Sequence, residues 1–208
     1  MSLTPDELAA VVARDIPPHS YVNLGIGQPT KVADHLDADA GIVLHTENGM
    51  LNMGPAATGD QVDPDLTNAG KVPVTELPGA SYFHHADSFL MMRGGHLDVC
   101  VLGAFQVSAA GDLANWHTGA PDAIPAVGGA MDLAIGAKQV FVMMTLFDKK
   151  GRPKLVPACT YPLTGLRCVS RVYSDLAIID VGPDSAKVRE TFGVTVEELR
   201  KRLDVPLT

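Results

Sequence analysis

The 208-residue sequence predicts an α/β fold: an open, mainly parallel sheet flanked by helices, forming one domain over residues 1–208. Three observations predict it. Between Tyr21 and His45 the chain reads strand, turn, helix, strand, which is the rhythm of a parallel sheet covered by helices. Leu97–Val107 and Gln139–Phe147 are near-continuous apolar runs, suited to buried strands. Helices with complete start signals stand near both ends of the chain.

Taken in order, Thr4-Pro5-Asp6-Glu7 supplies an N-cap hydroxyl, a proline for the first turn and a capping-box glutamate. That helix runs to about Asp15, where Pro17-Pro18 stops it. A strand at Tyr21–Leu24 leads into Gly25-Ile26-Gly27-Gln28-Pro29, a short helix through about Leu36 and a strand at Gly41–His45. Residues 46–80 are rich in Gly, Pro, Asn and Asp, with one short strand candidate at Pro73–Leu77. So long a segment with little periodicity reads as a functional loop or lid. A helix at Ala86–Arg93 ends at Gly94-Gly95, and the turn at Gly111-Asp112 follows the first long apolar strand. Val127-Gly128-Gly129-Ala130-Met131-Asp132 opens a helix to about Ala137, and Lys149-Lys150-Gly151 reads as a hairpin tip. The chain closes with a strand at Leu176–Val181 and a helix from about Val196, capped by Thr195 and Glu198.

Composition narrows the function. With 46% hydrophobic residues, a chain of this length buries roughly 70% of its unfolded surface. A net charge of −8 and no basic run longer than Arg200-Lys201-Arg202 argue against nucleic acid or an anionic membrane as partner. A local anion site remains compatible with that charge. Three cysteines without metal-like spacing, no leader-like start and no long apolar run predict a soluble, reduced, cytoplasmic protein.

The sharpest candidate for chemistry is Glu47. It ends an apolar strand and precedes Asn48-Gly49, a strong turn signal, so its carboxylate is pushed out at a sheet edge, where open α/β sheets place their sites. A carboxylate there can be base, ligand or nucleophile. Asn23 ends the preceding strand and offers a side-chain hydrogen-bond donor. Gly128-Gly129-Ala130 leaves backbone N–H groups uncovered at a helix start, which suits an oxyanion or carboxylate; the same residues would also make a plain compact loop. Gly25-Ile26-Gly27 lacks the third glycine of a dinucleotide fingerprint, with Thr30 in its place, and reads as a tight strand-to-helix turn. His84-His85-x-Asp87 tempts a metal reading, but adjacent histidines diverge and no ligand-spaced pair is present. Ser81, Ser88 and Ser108 lie in no nucleophile elbow. For His84, His85 and His117 the sequence leaves substrate contact open beside the simpler reading of packing or exposure.

These motifs, in this order, resemble the β subunit of the 3-oxoacid CoA-transferase family. The resemblance runs from about Asp6 to Val181 through Asn23–Gly27, Glu47-Asn48-Gly49, Asn68-Ala69-Gly70-Lys71, Met92–His96, Gly111–Trp116, Gly128–Leu133 and Pro162–Gly165. Phe83–Phe89, Asn115–Gly119 and 124–127 are similar to the branch that acts on 3-oxoadipate. The resemblance implies a ping-pong exchange in which Glu47 becomes a glutamyl-CoA thioester, with succinyl-CoA and a 3-oxo acid as substrates. It assigns Asn23, Gly129 and Ala130 to oxyanion or substrate binding, and Lys71 and Gly128 to the CoA moiety. It implies no metal and no permanently bound cofactor, the CoA thioester being substrate, and an obligate α-subunit partner. Two positions depart from the family pattern: Thr46 where serine is usual, and Asn52 where glycine is expected. Asn tolerates left-handed backbone, so that turn is expected to survive. The alternatives are a transferase β subunit acting on acetoacetate or another short 3-oxo acid, an acyl-CoA hydrolase on the same scaffold, and a non-catalytic CoA-binding regulatory subunit.

Overall fold

The computed structural model describes residues 1–120, 122, 124–125, 127–183 and 186–208. Ala126, within the 124–127 motif, lies outside them. In chain order the regular elements begin with α1 (Pro5–Asp15), β1 (Tyr21–Leu24), β2 (Val43–Thr46), β3 (Met50–Ala56) and β4 (Val74–Tyr82). Next come α2 (His85–Arg93), β5 (Val99–Leu102), β6 (Gln106–Ser108), β7 (Leu113–Ala114) and α3 (Ala130–Gly136). The last are β8 (Gln139–Met144), β9 (Leu155–Val156), β10 (Arg171–Ser174), β11 (Ala177–Asp180), β12 (Lys187–Thr191) and α4 (Val196–Arg202).

The main sheet has nine strands in the order β12-β11-β10-β8-β5-β1-β2-β3-β4. Its five central strands, β10-β8-β5-β1-β2, are all parallel, and antiparallel ribbons extend it on both wings. The expected open, mainly parallel sheet is therefore present. Alternation along the central strands feeds two cores, one on each face. Cys100, Leu102, Val140, Val142 and Met144 point into one, and Val99, Val101, Phe141 and Met143 into the other. α1 covers the second face through Leu8, Ala9, Val12 and Ala13.

Several elements differ from the sequence reading. Residues 46–80 are no structureless loop: β3 and β4 pair as an edge ribbon broken by two register shifts. The ribbon hid from periodicity because β4 is mostly exposed and carries Pro78 and Gly79 within it. The long strand expected at Leu97–Val107 is two strands in different sheets, since the chain breaks after Leu102 and β6 joins a three-stranded sheet with β7 and β9. The strand expected over Gln139–Phe147 stops at Met144. The helix before Leu36 is a 3₁₀ segment, Gln28–His35. Both capping boxes form as expected, at Thr4/Glu7 and Thr195/Glu198. Asn52 takes the left-handed conformation, φ 62°.

Candidate active site

β1, β2, β5 and β8 run parallel and end on the same edge, and a cavity of about 500 Å³ opens there. Its lining brings together Asn23 in β1 and Gly25 after it, Glu47 after β2, Gly103 and Phe105 after β5, Met144 and Thr145 at the end of β8, Gly128-Gly129 before α3 and Ala130 at its start. Of the residues proposed from sequence, Glu47, Asn23, Gly128, Gly129 and Ala130 thus share one cavity. Lys71 does not. It is exposed on the turn closed by its own N–H donating to the Asn68 carbonyl (2.9 Å), outside that lining.

Glu47 owes its place to a tight hairpin. β2 and β3 pair at Thr46 and Met50, leaving Glu47-Asn48-Gly49 as the turn. The Gly49 N–H donates to the Thr46 carbonyl (3.1 Å), and Gly49 has φ 114°, a conformation that side chains rarely permit. A Cβ at Gly49 would collide with the Phe83 carbonyl. The Thr46 hydroxyl accepts from the Met50 N–H (3.1 Å), so the threonine stabilises the turn that aims Glu47. Asn48 ties the turn to the 46–80 segment by donating to the Thr67 carbonyl (2.8 Å). The half-buried carboxylate then lies against Gly129, where a Cβ would collide with its Oε2 and come within 3.3 Å of Phe89 Cζ. Glycine at 129 is what makes room for the acid.

Behind Asn23 lies a buried hydrogen-bond chain. Asn23 Nδ2 lies 3.0 Å from His45 Nδ1 and donates to the His45 carbonyl at 3.0 Å. His45 Nε2 lies 2.9 Å from Ser88 Oγ, which donates to the Thr46 carbonyl at 3.2 Å. A backbone carbonyl only accepts, which fixes the Asn23 amide and the Ser88 hydroxyl as donors. The consistent assignment has Nδ1 accepting and Nε2–H donating to Ser88. Burial pushes the His45 pKa down to about 4, so the ring is neutral. In this arrangement both Nδ2 hydrogens of Asn23 are directed at His45, leaving Oδ1, an acceptor, as its remaining side-chain polar atom.

Sequence reasoning missed His45 and Ser88. The adjacency of Asn23 and His45 was available, since each stands one residue before the end of a strand of one β-turn-α-β unit and the two are register partners. Nothing local marked Ser88, which arrives on α2. His84 caps α2 by accepting from the Ala86 N–H (3.1 Å), and His85 packs on Phe89 with ring centroids 5.0 Å apart. No cluster of three His, Cys, Asp or Glu side chains able to hold a metal occurs among the described residues.

A family model described as coenzyme A transferase matches residues 6–201. The chain is 62% identical over 200 residues to the B subunit of 3-oxoadipate CoA-transferase from Acinetobacter baylyi, covering 96% of this chain and 92% of that protein. It is 60% identical over 206 residues to the B subunit of 3-oxoadipate CoA-transferase from Pseudomonas putida, covering 99% and 96%. In fold it is similar to the acyl-CoA transferase apoenzyme of Escherichia coli O157:H7, with a TM-score of 0.73 at 18% identity, covering 100% of this chain and 43% of that one.

Proposed function

The chain belongs to the coenzyme A transferase family, and from that premise we propose that it is the glutamate-bearing subunit of a transferase moving CoA from succinyl-CoA to 3-oxoadipate. The substrate reading is supported by the 3-oxoadipate CoA-transferase relatives at 60–62% identity over nearly the whole chain. The observation that carries the chemistry is the Glu47 carboxylate at the parallel edge of the sheet, against Gly129 in a cavity sized for a small ligand.

A carboxylate Oε of Glu47 attacks the thioester carbonyl carbon, the C–S bond breaks, and a mixed anhydride and CoA thiolate result. The thiolate attacks the Glu47 carbonyl carbon and the anhydride C–O bond breaks. Succinate leaves, and CoA is held as a glutamyl thioester. The incoming 3-oxo acid carboxylate reverses the two steps, forming its own CoA thioester and restoring Glu47. Two displacements replace one difficult exchange, and the thioester energy is kept throughout. Each attack places negative charge on oxygen. The Gly129 and Ala130 N–H groups, at the uncapped start of α3, are the donors on hand to receive it. With its amide nitrogen held by His45, Asn23 serves as an acceptor for a substrate N–H such as a pantetheine amide. Gly128 is exposed at the cavity lining, and Lys71 is exposed on the adjoining segment; both are placed at the CoA moiety. The protein needs an α-subunit partner, a reading supported by the naming of its relatives as B subunits. Three free cysteines fit a reducing cytoplasm, and no helix among the described residues is long and apolar enough to cross a membrane.

The test is mass spectrometry of the chain mixed with succinyl-CoA in the presence of its partner, with borohydride to trap a glutamyl thioester. An adduct at Glu47, cleared by 3-oxoadipate and absent in Glu47→Gln, is expected. Glu47→Gln should also lower turnover by about 10⁴-fold or more, the scale of losing a covalent nucleophile. An adduct elsewhere, or none, overturns the reading.

A further inference from the structure

Only two ionisable side chains line the cavity among the described residues, Glu47 and Lys154. The lysine stands beside β9, beyond the end of β8. Its N–H donates to the Leu146 carbonyl and its own carbonyl accepts from the Val107 N–H, both at 2.9 Å, so its backbone is pinned between the chain just past β8 and strand β6. Lys154 is partly buried, and no carboxylate lies within ion-pair distance of it among the described residues. Asp148 and Asp175 act on it from farther away and have nearer partners of their own. Asp148 pairs with Arg152 at 2.7 Å, and Asp175 accepts from the Leu146 N–H at 2.8 Å. Burial accordingly pushes the lysine's pKa down. A cation in this condition gains from any anion that enters the cavity.

The sheet sets where that anion sits. β8 is separated from β2 by β5 and β1. With neighbouring strands about 4.8 Å apart, the two ends of the cavity are on the order of 14 Å apart at the backbone. Glu47, after β2, and Lys154, beside the chain past β8, both line this one cavity, with Leu102, Met143 and Met144 also in its lining. An acyl chain whose carbonyl carbon is at Glu47 would approach Lys154 if it ran along the strand ends.

We propose that Lys154 binds the far carboxylate of a dicarboxylic substrate and gives this site its preference for diacids over monoacids. The assignment rests on the CoA-transfer reading above and names the residue that selects its acids. The experiment uses the assembled enzyme with its partner chain and follows formation of the Glu47 adduct from succinyl-CoA and from butyryl-CoA. In the wild-type enzyme succinyl-CoA should be preferred. Lys154→Met should reduce the rate constant with succinyl-CoA at low concentration by roughly 10- to 100-fold, the range of one charge-assisted contact. It should leave butyryl-CoA within a few-fold, which also shows that the variant is folded. Lys154→Arg, keeping the charge, should recover part of the diacid rate. Equal losses with both thioesters, no loss with either, or no wild-type preference would overturn the subsite. Absence of a Glu47 adduct in the wild-type enzyme would instead overturn the transfer reading on which it rests.

Discussion

At the scale of single residues, the site depends on a neutral histidine and an absent methyl group. His45 is 2% exposed and its pKa is lowered to about 4 by burial, below the ordinary 6.5. The unfolded chain therefore binds the proton more readily between those values, and folding stability rises with pH across that window. Stability due to the neutral ring is fully present above about pH 6.5 and is lost progressively as pH falls to about 4, by about 3 kcal/mol. Urea unfolding from pH 4 to 7.5 should show this slope, and His45→Gln should flatten it. Glutamine can also accept from Asn23 and donate to Ser88, so it should keep most activity. His45→Leu leaves one buried Asn23 N–H donor without its partner and removes the donor to the Ser88 hydroxyl, and should lose about 1–3 kcal/mol. Gly129 gives the complementary case. Its φ of −84° suits any residue, so Gly129→Ala meets no backbone strain and acts through space alone. The added methyl displaces the Glu47 carboxylate, and turnover should fall by about 10²-fold with little change in unfolding midpoint. A large drop in the midpoint would show that Gly129 serves packing instead.

At the scale of elements, the hairpin from β2 to β3 does what a longer loop would not. Its three-residue turn fixes Glu47 relative to the strand ends, and Gly49 is where the geometry is least forgiving. Gly49→Ala meets both the positive φ and the Phe83 carbonyl, so it should destabilise the protein by about 2–3 kcal/mol and lower activity as well. Denaturant midpoints and turnover measured on one preparation check both expectations. The capped helices were legible because Thr4, Glu7, Thr195 and Glu198 act within one turn of chain, and β1 because its signal is local. β10 and β12 were not legible: Arg171 and Lys187 begin short strands whose pairing depends on distant partners. The same division runs through the site. Glu47, Asn23 and Gly129 stand in recognisable turns, whereas Ser88 and Lys154 reach it only because α2 and the chain after β8 fold back onto the same sheet edge. Lys71 has a suggestive local setting but lies on the turn after Asn68, outside the cavity lining.

At the scale of the whole molecule, chemistry must be kept from water. The cavity holding Glu47 is rimmed by exposed apolar side chains, Ile26 at 67% and Val127 at 41% exposure. An anhydride or glutamyl thioester formed there in the isolated chain would stand open to attack by water rather than by a second acid. A partner chain seated on that rim would exclude water, and such a contact suits apolar residues in a polar surround. The chain alone, given succinyl-CoA and 3-oxoadipate, should therefore yield at most a slow release of free CoA. Adding the partner should raise the ratio of acyl-CoA transferred to CoA hydrolysed by at least about 10²-fold, through water exclusion and alignment together. Simultaneous assay of thiol release and 3-oxoadipyl-CoA formation measures that ratio directly. Efficient transfer by the isolated chain would mean that the rim needs no cover, and that the cavity as it stands already protects its intermediate.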